Sequence, residues 1–177
     1  MQVNSSATLV LLIFLAGFLF SCSHPEQSEK KLNQKKVGES LVKANKSLIK
    51  TEDQQIEDFI ERYGWKMKET GTGLRYMIYK EGLGNISKKG NTVILKYSVS
   101  LLSGEMCYSS DEKDNKEFII GQGGVEPGLE EGILFLKKGD RVKFILPSHL
   151  AFGLLGDGNK IPAKATLVYD VELLELK

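Results

Sequence analysis

The sequence is poor in cysteine and histidine, which many enzymes use for nucleophilic, acid–base or metal chemistry. Its 177 residues contain two cysteines, Cys22 and Cys107, and two histidines, His24 and His149. Two cysteines exclude a disulfide-stapled scaffold. No zinc-type Cys/His cluster, Walker loop or dinucleotide fingerprint occurs. We therefore predict no metal and no cofactor, and we expect Cys107 to be a small apolar residue on a strand or loop.

The chain also lacks an excess of charge of one sign. Its 24 Lys and Arg residues nearly balance 23 Asp and Glu residues, which gives a net charge of +1. A nucleic-acid-binding domain needs a basic face, so we predict no nucleic-acid partner. The length allows one domain with a core and one appendage. The 41% apolar content and 18 glycines are typical of a globular, turn-rich protein.

No apolar run is long enough to span a bilayer comfortably, because the run in residues 7–20 has only about a dozen apolar residues. It ends in Leu19-Phe20-Ser21-Cys22, which resembles a bacterial lipobox. We predict that residues 1–21 are a lipoprotein signal peptide and that Cys22 carries the lipid. No Lys or Arg precedes the run, and an ordinary secreted protein or an uncleaved anchor are the alternatives. The predicted location is the bacterial cell envelope, anchored to a membrane and facing the periplasm.

Residues 22–50 are predicted to be the acylated cysteine and a polar tether. Residues 23–50 hold seven Lys and three Glu, and such a composition cannot bury enough surface to fold alone. The lysines could lie on anionic head groups, each contributing about 1 kcal/mol. The alternative is a solvated spacer.

Residues 51–73 are predicted to form an N-terminal amphipathic helix and a connector. Thr51-Glu52-Asp53-Gln54 has the pattern of a capping box. Apolar residues follow at helical spacing, and Gly64 is expected to end the helix. The apolar stripe must pack on something. It either docks on the domain that follows or pairs with the helix of a second chain. The stripe consists of Ile56, Phe59, Ile60 and Tyr63.

From Leu74 onward, the hydrophobic period changes to two, which predicts strands. The clearest strand covers residues 92–101, where Val93, Leu95, Tyr97, Val99 and Leu101 alternate with Thr92, Ile94, Lys96, Ser98 and Ser100. Further strands are predicted at residues 74–79, 117–120, 141–146 and 166–174. Pro127, followed by two glutamates, begins one short helix. The fold class is therefore α+β, a sheet curled over a helix.

An ordered set of motifs across residues 74–177 resembles the FKBP-type peptidyl-prolyl cis-trans isomerases. Any one motif is weak, but the set keeps the family's order and spacing. It implies a curled antiparallel sheet wrapped around one short helix. With an acylated cysteine and an N-terminal helix, the layout resembles the membrane-anchored FKBP lipoproteins, including the gliding-motility-associated group. The motifs are Lys96-Tyr97-Ser98, Gly104 with Tyr108-Ser109-Ser110, Phe118-Ile119-Ile120-Gly121, Val125 to Gly132, Lys138-Gly139-Asp140, Ala151-Phe152-Gly153, Ile161-Pro162 and Ala165 to Leu173.

The resemblance implies catalysis without acids or bases. An X-Pro bond is a tertiary amide that rotates over a barrier of about 18–20 kcal/mol. The twisted transition state requires no proton transfer. A dry, apolar pocket with a few fixed hydrogen-bond donors suits it. The implied partners are X-Pro segments of exported polypeptides.

Five residues match the family's pocket positions: Tyr97, Phe118, Val125, Ile161 and Tyr169. By resemblance, Tyr97 and Phe118 would flank the proline ring, and Ile161 would offer its backbone N–H to the substrate. Without the resemblance, Tyr97, Phe118 and Tyr169 would be interpreted as ordinary core residues.

Other pocket positions depart from the family's pattern. Cys107 and Tyr108 stand where an aromatic residue and an Asp are usual, and Leu129 replaces a Trp. Phe152 lacks a Tyr hydroxyl that contacts substrate, and Glu126 replaces an Ile whose backbone contacts ligand. These departures leave two functions open: an active isomerase and a non-catalytic peptide-binding or chaperone module.

Overall fold

The computed structural model describes residues 26–111 and 113–177, with side chains from residue 36 onward. Cys22 and the predicted signal peptide therefore lie outside the described residues. The described residues form one long helix, seven strands, one short helix and a 3₁₀ turn at Ser148–Leu150. The helices are α1 (Glu26–Tyr63) and α2 (Pro127–Ile133). The strands are β1 (Lys68–Glu69), β2 (Arg75–Lys80), β3 (Thr92–Leu101), β4 (Met106–Ser109), β5 (Lys116–Ile119), β6 (Arg141–Leu146) and β7 (Leu167–Leu176).

Helix α1 begins at Glu26, so the prediction that a helix starts with a capping box at Thr51 is wrong. The Thr51 hydroxyl instead donates to the carbonyl oxygen of Ser47, at 2.9 Å, as a Thr inside a helix often does. The physical reason is the preceding segment, whose many Lys, Glu, Gln and Leu residues are good helix formers. Side chains of residues 36–50, apart from Gly38, are exposed. No described helix combines the length and apolar character needed to cross a membrane.

The predicted end of α1 is confirmed. Gly64 has a φ of +63°, which a glycine adopts without steric cost. The Gly64 N–H donates to Glu61 O at 3.0 Å, and the Trp65 N–H donates to Ile60 O at 3.1 Å. These two bonds are a Schellman motif, which satisfies carbonyls at the end of a helix.

The strands form one antiparallel sheet in the order β1-β2-β6-β7-β3-β4, with β5 also paired to β3. Strand β3 lies beside β7 over most of its length, with Tyr97 opposite Val171 and Val99 opposite Tyr169. The predicted α+β fold, with a curled sheet and a short helix, is confirmed. The predictions missed β1 and β4, because each is too short to show an alternating pattern.

The main core lies between the sheet and α2. Alternate side chains of β3 point to the buried face, as predicted. These are Val93, Leu95, Tyr97 and Val99. Leu129 and Ile133 of α2 complete the cluster. Gly132 lets α2 approach β6 closely, because a Cβ there would lie 2.5 Å from a ring carbon of Phe144.

A smaller core holds the C-terminal part of α1 on the sheet. Ile56 and Phe59 pack with Ile145 and Val168. Ile56 is fully buried and Phe59 is 6% exposed, so each contributes about 1.5–3 kcal/mol. Of the two alternatives for the apolar stripe, the structure shows docking within the same chain for Ile56, Phe59 and Ile60, whereas Tyr63 is 54% exposed.

Polar contacts fix the orientation of this part of α1. Glu52 Oε1 accepts hydrogen bonds from the Ser148 N–H and the Thr166 hydroxyl, both at 2.6 Å. The buried Arg75 guanidinium pairs with Asp53 and Glu57 of α1. Buried charges need such partners. The connection between helix and sheet is therefore specific as well as apolar.

Candidate active site

Four predicted pocket residues meet on the inner face of the sheet. Tyr97 of β3, Phe118 of β5 and Tyr169 of β7 reach one apolar cluster together with Leu129 of α2. Each strand contributes its residue because alternate side chains point to the same face. Tyr97 and Phe118 are each 9% exposed, while Tyr169 and Leu129 are fully buried. Tyr97 and Phe118 therefore lie nearest to solvent in this group.

Four other predicted residues belong to the same cluster or pack against it. Ile161 is buried in the same cluster. Val125, Phe152 and Tyr108 are partly buried and pack against it. The tertiary structure thus brings together side chains from strands, α2 and two loops.

Glu126 introduces a charge into this apolar cluster. It is 8% exposed, and its Oε1 accepts a hydrogen bond from the Tyr169 hydroxyl at 2.6 Å. Its Oε2 lies 3.2 Å from the ammonium of Lys116. The Lys116 Nζ also lies 5.3 Å from the centre of the Tyr97 ring, within the range of a cation–π contact. The site therefore contains a partly buried ion pair that was not predicted.

This charge changes the acidity of both tyrosines. Burial, reinforced by the charge of Glu126 and its hydrogen bond, raises the pKa of Tyr169 well above its ordinary value. Burial and Glu126 also raise the pKa of Tyr97. Both phenols are consequently neutral hydrogen-bond donors at physiological pH.

The backbone N–H of Ile161, which was expected to contact the substrate, has an acceptor within the chain. Its N–H donates to Asp157 Oδ1 at 2.8 Å, so it is already engaged. The Asn159 N–H donates to the same oxygen at 2.9 Å, and the Tyr108 hydroxyl donates to Asp157 Oδ2. The physical reason is an Asx-type loop in which one carboxylate collects local donors.

The ionised state of Asp157 matches this arrangement. Burial alone would raise its pKa, but the hydrogen bonds from the Tyr108 hydroxyl and from backbone N–H groups lower the pKa overall. The carboxylate therefore holds the loop after Phe152 against β4. The N–H of Ile161 becomes available to a substrate only if this contact opens.

A different backbone N–H of the site has no acceptor in the described part of the chain. The N–H of Glu126 has no hydrogen-bond acceptor among residues 26–111 and 113–177. The same holds for the hydroxyl of Tyr97. Glu126 has extended backbone angles just before α2. Both donors belong to residues of the cluster described above.

Cys107 has the structural role that was expected. Its side chain is 1% exposed and packs within the main cluster, and the thiol is free. Burial, followed by the charges of Glu105 and Asp157, raises the pKa of the thiol. A buried protonated thiol is a poor nucleophile. Among the described residues, no group of three or more His, Cys, Asp and Glu side chains could hold a metal ion.

Sequence reasoning missed two residues of the site, Lys116 and Asp157. A signal for Lys116 was present, because it stands two residues before Phe118 in β5 and therefore shares its face. For Asp157, the signal was its position in a Gly-rich loop, where Asp often accepts local backbone hydrogen bonds.

Comparisons with known proteins identify the family of the chain. The family model described as FKBP-type peptidyl-prolyl cis-trans isomerase matches residues 84–174. The chain belongs to this family. It is 35% identical over 121 residues to the FKBP-type peptidyl-prolyl cis-trans isomerase FkpA of Escherichia coli strain K12, which covers 68% of this chain and 43% of that protein.

Further relatives give the same picture. A probable FKBP-type peptidyl-prolyl cis-trans isomerase of Haemophilus influenzae is 33% identical over 148 residues, covering 82% of this chain and 60% of that protein. The crystal structure of FkpA from Escherichia coli has a TM-score of 0.64 and 28% identity, covering 100% of this chain and 84% of that one. The crystal structure of AtFKBP13 has a TM-score of 0.61 and 26% identity, covering 64% of this chain and 100% of that one. The chain spans less than two thirds of the length of these curated relatives.

Proposed function

We propose that this protein is a peptidyl-prolyl cis-trans isomerase that acts on X-Pro bonds of exported polypeptides. The observation that supports it is the apolar cluster that contains Tyr97, Phe118, Leu129 and Tyr169. Rotation of an X-Pro bond needs no proton transfer. It needs a surface that receives the proline ring and donors that hold the flanking carbonyls while water is excluded.

Two donors are suited to hold substrate carbonyls in this proposal. The Glu126 N–H has no acceptor among the described residues, and by family resemblance this backbone position contacts ligand. The Tyr97 hydroxyl is the second donor. It would replace part of the substrate contact that the family usually makes with a Tyr hydroxyl and that Phe152 cannot make. A fixed donor of this kind typically contributes a factor of about 10²–10³ to a rate when it acts on charge that develops in the transition state. The contribution here is smaller, because the twisted amide develops little charge.

The alternative is a peptide-binding or chaperone module without turnover. Two observations favour it. The N–H of Ile161 is engaged by Asp157, and a charged pair stands in a site that is otherwise apolar. Both would weaken catalysis while leaving an apolar surface for unfolded chains.

A direct assay separates the two functions. The complete chain, solubilised in detergent, is mixed with X-Pro peptides, and cis–trans exchange is followed by NMR. A protease-free assay is preferable because Leu154 and Leu155 are 71% and 89% exposed and invite cleavage. Exchange above the uncatalysed rate supports the isomerase. Uncatalysed exchange, together with suppressed aggregation of an unfolded client, supports the chaperone.

The proposed pocket has a matched pair of variants. Tyr97→Ala should abolish acceleration, because Tyr97 both flanks the proline ring and supplies a donor. Tyr79→Ala is the control, since Tyr79 is 47% exposed and lies outside both apolar clusters. Ile161→Asp should also abolish activity by placing a charge in the cluster. Full turnover in Tyr97→Ala and Ile161→Asp would mean that the pocket is assigned to the wrong residues.

The proposal includes a membrane tether. We assign the lipid to Cys22 from the Leu19-Phe20-Ser21-Cys22 motif, which places a bacterial lipoprotein in the cell envelope. A Cys22→Ser variant should then appear in the soluble fraction after cell disruption. Continued sedimentation with membranes would favour an uncleaved anchor.

A further inference from the structure

The Lys116–Glu126 pair lies where a proline would bind. Lys116 and Phe118 point to the same face of β5, and the Lys116 Nζ lies 5.3 Å from the centre of the Tyr97 ring. Tyr97 and Phe118 are the residues proposed to flank the proline. A substrate that occupies this space therefore brings its neighbouring side chains close to the ammonium.

The two charges of the pair differ in how accessible they are. The Glu126 side chain is 7% exposed, and its oxygens are taken by Lys116 and the Tyr169 hydroxyl. The Lys116 side chain is 24% exposed. Among the described residues, Glu126 is the single carboxylate within ion-pair distance of Lys116. An ammonium group has three N–H donors, so Lys116 can donate to a second acceptor that approaches from solvent.

A substrate therefore meets the positive end of the pair first. An acidic side chain would place Lys116 between two carboxylates, which is favourable because the ammonium is partly shielded from water. A basic side chain would meet a like charge and could not reach Glu126 behind it. The net charge of the pair is zero, but the more exposed of its two groups is the positively charged ammonium of Lys116.

We infer that Lys116 makes this site selective for X-Pro segments that carry an acidic side chain next to the proline. The inference rests on the proposed function only for the place where the proline binds. Lys116 acts as a specificity-determining residue, and the rotation of the amide itself does not depend on its charge.

The test measures selectivity and not activity alone. The complete chain in detergent is assayed by NMR exchange with two acetylated, amidated peptide series, Ala-Xaa-Pro-Ala and Ala-Ala-Pro-Xaa, in which Xaa is Glu, Gln or Lys. We expect kcat/KM for Glu to exceed that for Gln at least about threefold in one of the two series, which corresponds to about 0.65 kcal/mol. The preference should shrink as salt rises from 0.02 to about 0.5 M, because salt screens partly exposed charges.

Variants assign the preference to Lys116. In Lys116→Met the Glu-to-Gln ratio should fall to about one, and in Lys116→Arg it should persist. Lys96→Met is the matched control, because Lys96 also pairs with an acid, Asp111, but is 51% exposed. Its ratio should equal that of the unmodified chain. If Lys116→Met fails to fold because Glu126 is left unpaired, the double variant Lys116→Met/Glu126→Gln removes both charges and answers the same question.

The outcomes distinguish this inference from the proposed function. Equal rates for Glu and Gln peptides in both series overturn the selectivity and leave the isomerase intact. If no peptide is turned over, the isomerase proposal fails, and NMR titration of the same peptides then tests the selectivity by their Kd values. Equal Kd values for Glu and Gln would overturn it in that case also.

Discussion

The hydrogen bond between Tyr169 and Glu126 should be among the larger single polar contributions to stability. The bond is 2.6 Å long, the Tyr169 side chain is fully buried, and the acceptor is a carboxylate. Hydrogen bonds to charged groups contribute about 1.5–3 kcal/mol, and removing the donor leaves the buried acceptor partly unsatisfied. Tyr169→Phe removes the hydroxyl and preserves the ring, so the loss measures this contact and not a cavity.

The chain offers a matched comparison in Tyr79. Its hydroxyl donates to Asp170 Oδ1 at 2.7 Å, almost the same length, but Tyr79 is 47% exposed. Water replaces that bond at little cost, so Tyr79→Phe should change stability by about 0.5 kcal/mol or less. In urea, with a slope of about 2 kcal/mol/M, Tyr169→Phe should lower the unfolding midpoint by about 1 M. Equal midpoint shifts in the two variants would refute the argument from burial.

The effect of Tyr169→Phe on the free energy of unfolding should depend on pH. The folded pKa of Tyr169 is raised by burial and by Glu126, whereas an unfolded Tyr ionises near pH 10. The folded state therefore binds the phenolic proton more tightly, and this contribution is complete below pH 10 and lost as pH rises above 10. The stability difference between the unmodified chain and Tyr169→Phe should shrink in urea titrations above pH 10. A constant difference up to pH 11.5 would contradict the raised pKa.

Three further variants or treatments test other parts of the structure. Gly132→Ala should destabilise the chain by about 1–3 kcal/mol in the same urea assay, because its Cβ would press on the buried ring of Phe144; an unchanged midpoint would show that α2 can shift. Asp157→Ala should accelerate chymotrypsin cleavage at Leu155 several-fold, and an unchanged rate would mean that its loop is held elsewhere. Cys107 should react with a thiol reagent only at the rate of unfolding, and rapid reaction in the native chain would show that it is accessible.

The local pattern of the sequence predicted most of the fold. The alternation in residues 92–101 predicted a strand, and the structure has β3 over those residues with the expected face buried. Gly64 ended α1 as predicted, because a glycine permits the left-handed conformation that the Schellman motif needs. The predicted start of α1 was wrong because Thr51 and Gln54 are the residue types of a capping box. No local feature of the sequence distinguishes a cap from the middle of a longer helix.

The apolar residues of the candidate site could be proposed from the sequence, but its charged interactions could not. Tyr97, Phe118 and Tyr169 could be proposed because they match pocket positions of the family that the sequence resembles; strand periodicity alone indicates only that they face the core. The partners of Glu126 could not, since they come from β5 and β7, and the contact exists only once both strands join β3.

The sequence by itself determined the periodicity of the strands, the end of α1 and the ordered motifs of the FKBP-type isomerase family. These properties depend on neighbouring residues and on backbone conformations that single residues impose. The tertiary structure alone decided that the Tyr108 hydroxyl donates to Asp157 and that the Tyr169 hydroxyl donates to Glu126. The physical reason is that these interactions join elements far apart in the chain, and their geometry depends on how the sheet curls over α2.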